Sequence, residues 1–125
     1  MKNLMPKNIV RPVISYGNNI FLGKLAGKWN IPERKVAKGE SDKDALEMCV
    51  REQAGIEISV GSYLGSHHSG STKCKWYECL TTTNKTTLGG DLEEIIWVPK
   101  NEVVDRCGQE VTSSWSGGIR AYFTG

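Results

Sequence analysis

Several side chains in this sequence are of types that do chemistry, and their spacing decides which of them can act together. Cys49, Glu52 and Gln53 fall where one helix would fan them over a single face, because each helical residue advances by about 100°. That face offers a thiol, a carboxylate and an amide. A hard cation such as Mg²⁺ takes charged oxygen and has little use for sulfur, so the trio is a poor cage for one. Glu40 lies ahead of the same segment, and Arg34 and Lys35 lie ahead of Glu40. The two basic residues are either solvated loop charges or direct contacts to phosphate. His67 and His68 are an acid–base pair near neutral pH or else a surface turn. Asp91, Glu93 and Glu94 precede an apolar run and read first as loop charge. The four cysteines, Cys49, Cys74, Cys79 and Cys107, contain no C-x-x-C pair, and Cys74 and Cys79 would face opposite sides of one strand. A zinc site needs four ligands in tight pairs, which only His67 and His68 could complete. Reduced thiols are the expectation.

The elements that must carry these residues follow from the apolar pattern. Residues 10–15 and 20–25 are apolar on either side of Gly17-Asn18-Asn19, which predicts a hairpin. Residues 28–31 read as a short strand ending at Pro32, and residues 33–40, charged with little apolar pattern, as a loop. Ser41 or Asp42 can cap a helix with acids in its first turn. That helix runs to about Gln53 and stops at Gly55, where glycine supplies a left-handed turn; Leu46 and Val50 lie on its core face. Residues 56–64, 73–81 and 95–98 read as strands separated by loops 65–72 and 82–94, with the Thr-rich stretch 81–87 as a solvated hairpin tip. Residues 99–104 read as one helical turn, and 113–123 as a terminal helix weakened by Gly117 and Gly118. This order predicts an α+β fold, an α/β/α sandwich around a mixed sheet.

At 125 residues the chain is expected to be one domain, residues 1–125. A chain of that size buries about two-thirds of its unfolded surface on folding. Hydrophobic residues at 38% and charged residues at 24% exclude a disordered chain. A net charge of +2 is too small to make nucleic acid or an anionic membrane the expected partner. No apolar run approaches the roughly 18 residues of a membrane span, and residues 1–6 lack the apolar stretch of a secretory leader. A cytoplasmic globular protein is the expectation.

Residues 29–58, WNIPERKVAKGESDKDALEMCVREQAGIEI, resemble the signature of the Nudix (MutT-like) pyrophosphohydrolases. That pattern, G-x5-E-x7-R-E-U-x-E-E-x-G-U, is a loop–helix–loop whose glutamates hold divalent cations against a diphosphate. Pro32, Gly39-Glu40-Ser41, Ala45, Glu52, Gly55 and Ile56 anchor the likeness. Residues 14–25 resemble the family's first hairpin, and Ile95-Ile96-Trp97-Val98-Pro99 with Glu102-Val103 resembles its late strand and turn. With Glu40 as the first glutamate, Arg34 stands at the glycine, Met48 and Cys49 at the Arg-Glu pair, and Glu52 and Gln53 at the Glu-Glu pair. Sliding the register to make Arg51-Glu52 the pair would misplace Glu40 and Gly55. The box is therefore degenerate, lacking two of its three helix glutamates.

The resemblance implies a Nudix-type α/β/α sandwich. It implies catalytic roles for Glu40, Glu52 and Glu94, metal ligation by Glu52, Gln53 and Glu40, and weakly bound Mg²⁺ or Mn²⁺ if the protein is active. It further implies substrate contacts from Arg34, Lys35, Trp29 and Trp76, a nucleotide or nucleoside-diphosphate small molecule as ligand, and a homodimer as a common assembly. Beside these stand blander roles: Cys49 as a buried filler, Met48 and the tryptophans as packing, Glu40 as support for the helix N-terminus. Three functions stay open: an atypical hydrolase of a nucleoside diphosphate linked to another moiety, a catalytically inactive nucleotide-binding or sensor module, and a different reaction built on Cys49 or a histidine.

Overall fold

The sheet begins with two strands that meet only at their turn. β1 (Lys7–Tyr16) and β2 (Asn19–Leu25) pair at Ser15↔Ile20 and Tyr16↔Asn19 and then part. Into the gap come β3 (Lys28–Asn30) on the free edge of β2 and β4 (Arg34–Lys35) on the free edge of β1. The connection between them, Ile31-Pro32-Glu33, therefore sits in the fork of the sheet, and Arg34 follows it directly. On the other edge of β1 lies β6 (Thr72–Leu80), parallel to it from Lys7↔Thr72 to Ser15↔Leu80, and β5 (Ser59–Ser69) lies antiparallel outside β6. β7 (Glu94–Pro99) closes the other side against β2. The computed structural model describes residues 7–124; the leader reading for residues 1–6 falls outside them.

Helices cover both faces, as the alternation of β1 requires. Val10 and Ile14 point to one side, where α1 (Asp42–Ala54) lays Ala45, Leu46, Val50 and Ala54 over them together with Phe21, Ile56 and Cys79. Val13 points to the other side, into a cluster of Ile20, Leu22, Ile31, Trp76, Val98, Trp115 and Phe123. That second face is closed by α2 (Val103–Cys107), α3 (Gln109–Thr112) and α4 (Gly117–Thr124). Each fully buried Leu, Ile or Phe contributes roughly 1.5–3 kcal/mol, so the two clusters hold the helices to the sheet and fix where α1 ends. The α/β/α sandwich with a mixed sheet is the expected one. Among the described residues no helix is long and apolar enough to cross a membrane.

Four expectations about elements need correction. The loop 33–40 contains β4, because Arg34 and Lys35 find backbone partners at Val10 and Ile9. The strand expected at 56–64 starts at Ser59 and continues to Ser69, so His67 and His68 are strand residues and the loop 65–72 shrinks to a turn at Gly70-Ser71. Residues 81–87 are not a hairpin tip: β6 pairs with β1 and β5, and β7 pairs with β2, so the connection crosses the sheet instead of doubling back. The terminal helix begins at Gly117 rather than Ser113, and Ser116 Oγ accepts the Ile119 N–H at 3.3 Å. Gly117 and Gly118 thus stand in its first turn, where they cost little of the helix interior.

Candidate functional site

The helix that carries the site is fixed at both ends. Ser41 is its N-cap, with Oγ accepting the Asp44 N–H at 3.1 Å, and Gly55 closes it at φ 68° with its N–H on the Arg51 carbonyl. Asp42 ties the first turn to the sheet, accepting from Lys75 Nζ at 2.6 Å and from the Tyr77 hydroxyl at 2.5 Å. Burial pulls the Asp42 carboxyl upward, but the hydrogen bonds from Lys75 and Tyr77 and the charges of Lys75 and Lys73 outweigh it, leaving the group below its ordinary range.

Arg34 joins the two acids that survive from the sequence motif. Its Nη1 donates to Glu52 Oε1 at 2.8 Å and its Nη2 to Glu40 Oε2 at 3.3 Å. The other Glu40 oxygen accepts the Ala37 N–H at 2.9 Å. That backbone bond first, with Arg34 reinforcing it against some desolvation, lowers the Glu40 pKa. Glu40 is 16% exposed and Glu52 55%, so the bridge runs from the protein wall outward to solvent. Arg34 Nε is buried and has no protein partner.

The remaining motif positions are weak donors. Cys49 is 1% exposed, and burial pushes its thiol up to about 12, so it is neutral at any ordinary pH. It is one of the residues that α1 buries. Gln53 is half-buried, and its Oε1 is buried without a protein partner. Among the described residues, no three His, Cys, Asp or Glu side chains stand together as a metal site. A divalent ion needs several charged oxygens, and both carboxylates here are already bonded to one guanidinium. The residues present do not fit the ion that the resemblance implies.

Two confluent recesses lie beside this bridge. The inner one, about 200 Å³, is lined by Gly23, Asn30, Ile31, Pro32, Gln53 and Leu92 among others. The outer one, about 650 Å³, shares Leu25, Glu33, Gln53 and Leu92 with it and adds Glu52, Gly90 and Asp91. The segment after β6 forms the outer wall by docking on the end of α1: Thr87 N–H donates to Ala54 O at 2.8 Å and Gly89 N–H to Gln53 O at 3.0 Å. These bonds satisfy helix carbonyls that would otherwise need water. Arg11 holds the inner wall. It donates to the Ile31 carbonyl at 2.7 Å and to Asn30 Oδ1 at 3.2 Å, pairs with Glu33, and lies over the Trp76 ring at 5.1 Å.

Of the residues singled out in the sequence, Glu52 and Gln53 line the groove, while Arg34 and Glu40 are not among its lining residues and connect to it through the Arg34–Glu52 bond. Lys35 is exposed on β4 and has no side-chain partner among the described hydrogen bonds and ion pairs. Glu94 stands on β7 facing Lys24 at 3.9 Å and is not among the groove-lining residues; the acid of that run that lines the groove is Asp91. Glu93 accepts the N–H groups of Ala26 and Gly27 at 3.1 and 3.2 Å, which holds the β2–β3 turn. Trp29 is half-buried with Lys24 Nζ 5.7 Å from its ring centre. Trp76 is fully buried between Arg11, His67 and Trp115 and has no face open to a ligand. His67 packs on Trp76, and burial, with Arg11 and His68 adding to it, lowers its pKa. Arg11, Leu92 and Gly89 were not singled out. Arg11, a lone charge between Val10 and Pro12-Val13 in an apolar strand, was the one readable signal among them.

Comparison with known proteins agrees with this architecture. No family model matches the chain. The CTP pyrophosphohydrolase of Escherichia coli is 35% identical over 65 residues, 47% of this chain and 48% of that protein. A Mycobacterium tuberculosis protein provisionally named 8-oxo-dGTP diphosphatase 2 is 32% identical over 92 residues, 66% of this chain and 61% of its own length. The match thus spans about half of the first relative and under two-thirds of the second. Among solved structures, a Nudix hydrolase from Nitrosomonas europaea superposes with a TM-score of 0.82 at 16% identity, over 98% of this chain and 72% of that one. A Nudix-family hydrolase from Clostridium perfringens follows at 0.76 and 13%, covering 97% of both. The chain has the Nudix fold.

Proposed function

We propose that the chain binds a nucleoside diphosphate linked to another moiety in the groove between Leu92 and α1, and that it hydrolyses the pyrophosphate bond weakly at most. The carrying observation is that Glu52, which lines the outer recess, is held by a cationic group, Arg34, while the other two carboxylate positions of the helix are a buried neutral thiol and an amide. The names of the two sequence relatives, both nucleotide pyrophosphohydrolases or diphosphatases, support this ligand class. Ile31, Pro32, Gly23 and Leu92 supply an apolar wall for a base or sugar, and the unpartnered Gln53 Oε1 would accept an N–H or O–H of the ligand. Arg34 retains N–H donors beyond the two it gives to Glu40 and Glu52, enough to meet a phosphate oxygen.

Each charged ligand missing from the helix withdraws a few kcal/mol of attraction to a cation even after screening, which is why turnover is expected to be slow. The four buried, unpaired thiols suit a reducing compartment, in line with a cytoplasmic location. Calorimetry with ADP-ribose, CTP and 8-oxo-dGTP, paired with chromatography of the products, tests the reading. The expected result is saturable binding of at least one nucleotide, with turnover below about 0.01 s⁻¹ against the roughly 10 s⁻¹ of an ordinary enzyme. Failure of the whole panel to bind would refute the ligand class, and turnover at ordinary rates would refute the weakness.

A further inference from the structure

We propose that Arg34 is the resident cation of this site: its guanidinium occupies the position between Glu40 and Glu52 that a divalent ion would need, so that the groove holds a diphosphate without metal. The part concerning diphosphate rests on the function proposed above; the part concerning the cation does not.

The geometry carries it. One planar guanidinium reaches two carboxylates on different segments, Glu40 ahead of α1 and Glu52 near its end, through two different nitrogens at 3.3 and 2.8 Å. A guanidinium offers five donors in a fixed fork and stays charged at all ordinary pH, so it bridges oxygen ligands as a small ion does. Arg34 can reach them because β4 pins its backbone to Val10 of β1, immediately after the Pro32-Glu33 connection. Cys49, next along the helix face, is neutral and buried, and Gln53 is uncharged, so α1 adds no negative charge to that of Glu52 beside the guanidinium. Glu40 and Glu52 already carry one charge more than Arg34 balances, and a carboxylate at either position would widen that excess.

Arg34 Nε points the same way. It is buried, lacks a protein partner, and is a donor. The guanidinium has N–H groups left over after Glu40 and Glu52, and an anionic oxygen that reaches it past Glu52 would accept from them while the two acids keep theirs. In this arrangement the acids orient Arg34 and Arg34 binds; Glu40 and Glu52 are positioning residues.

The test is Mn²⁺ titration followed by electron paramagnetic resonance on the intact protein, on Arg34→Gly and on Arg34→Gln, with circular dichroism to verify folding. The expected result is no Mn²⁺ uptake by the wild type at millimolar metal. Both variants, whose two carboxylates are then left without a counter-charge, should gain affinity by at least about tenfold. Equal Mn²⁺ affinity in the wild type and in either folded variant would overturn the proposal, as would Mn²⁺ uptake by the wild type if neither variant folds. A parallel calorimetric titration with ADP-ribose in EDTA and in Mg²⁺ separates the two readings. Wild-type affinity that is the same in both supports metal-free binding, affinity that appears only with Mg²⁺ contradicts it, and no binding in either condition refutes the ligand class while leaving the Mn²⁺ result standing on its own.

Discussion

A Cβ at position 89 would stand 2.4 Å from the carbonyl oxygen of Glu52, closer than any real side chain approaches. The segment after β6 can therefore press onto the last turn of α1 only because residue 89 is glycine. This contact sets the outer wall of the groove and fixes the end of α1 that carries Glu52 and Gln53. Gly89→Ala should force backbone to move, since the obstacle is a carbonyl rather than a flexible tip. A loss of about 1–3 kcal/mol is expected, read as a lower midpoint in urea unfolding; an unchanged midpoint would mean the segment does not dock on the helix.

Asp42 anchors the other end of α1, and its effect depends on pH. Its folded pKa lies below the unfolded value of 3.8, so its contribution is present above 3.8 and is lost as pH falls through the lower folded value. Asp42→Asn should cost about 1 kcal/mol at neutral pH. The gap between variant and wild type should narrow as pH falls below 3.8. Urea unfolding of both proteins across this range checks the sign, and a gap that widens on acidification would contradict it.

The signature helix was legible because its signals are local: a serine cap, acids in the first turn and a glycine stop, and the structure starts it at Asp42 and ends it at Ala54, capped by Ser41 and Gly55. The first hairpin was legible for the same reason. β4 was not, since two residues carry no periodicity and Arg34 and Lys35 become strand only through Val10 and Ile9, some two dozen residues away. The course of residues 81–93 was hidden likewise, because β7 chooses β2 as partner over its sequence neighbour β6. In the site, the losses at positions 49 and 53 could be read against the family pattern. What takes up the charge left behind could not, although an arginine at the glycine position six residues before Glu40 was its trace. Trp76 shows the converse: its type fits a stacking platform, and only the packing of Arg11, His67 and Trp115 around it shows that no face is free.

Thiol chemistry gives a simple check on the core. All four cysteines are buried and unpaired, and burial pushes Cys49, Cys79 and Cys107 up to about 12. Iodoacetamide at about pH 8 should leave the native protein unlabelled and add four groups in urea, counted by mass spectrometry. Rapid native labelling of Cys49 would show that it is reachable and reopen a chemical role for it.

Restoring the lost carboxylates should restore metal dependence, provided the guanidinium is removed with them. The triple variant Arg34→Gly, Cys49→Glu, Gln53→Glu is expected to show Mg²⁺-dependent pyrophosphate hydrolysis at least about 100-fold above the parent. The double variant that keeps Arg34 should gain less, because the new charges pair with it. A folded triple variant that neither binds Mg²⁺ nor turns over would mean that the assignment of Glu40, position 49, Glu52 and position 53 to one cluster is wrong.

Diffraction from a crystal soaked in Mn²⁺ together with a non-hydrolysable nucleoside diphosphate, read through the anomalous signal of manganese, decides whether Arg34 is the cation of this site. The expected result is nucleotide density in the groove beside Leu92, a phosphate oxygen within hydrogen-bond reach of Arg34, and no manganese peak between Glu40 and Glu52. A strong manganese peak there, with the arginine swung aside, would contradict it.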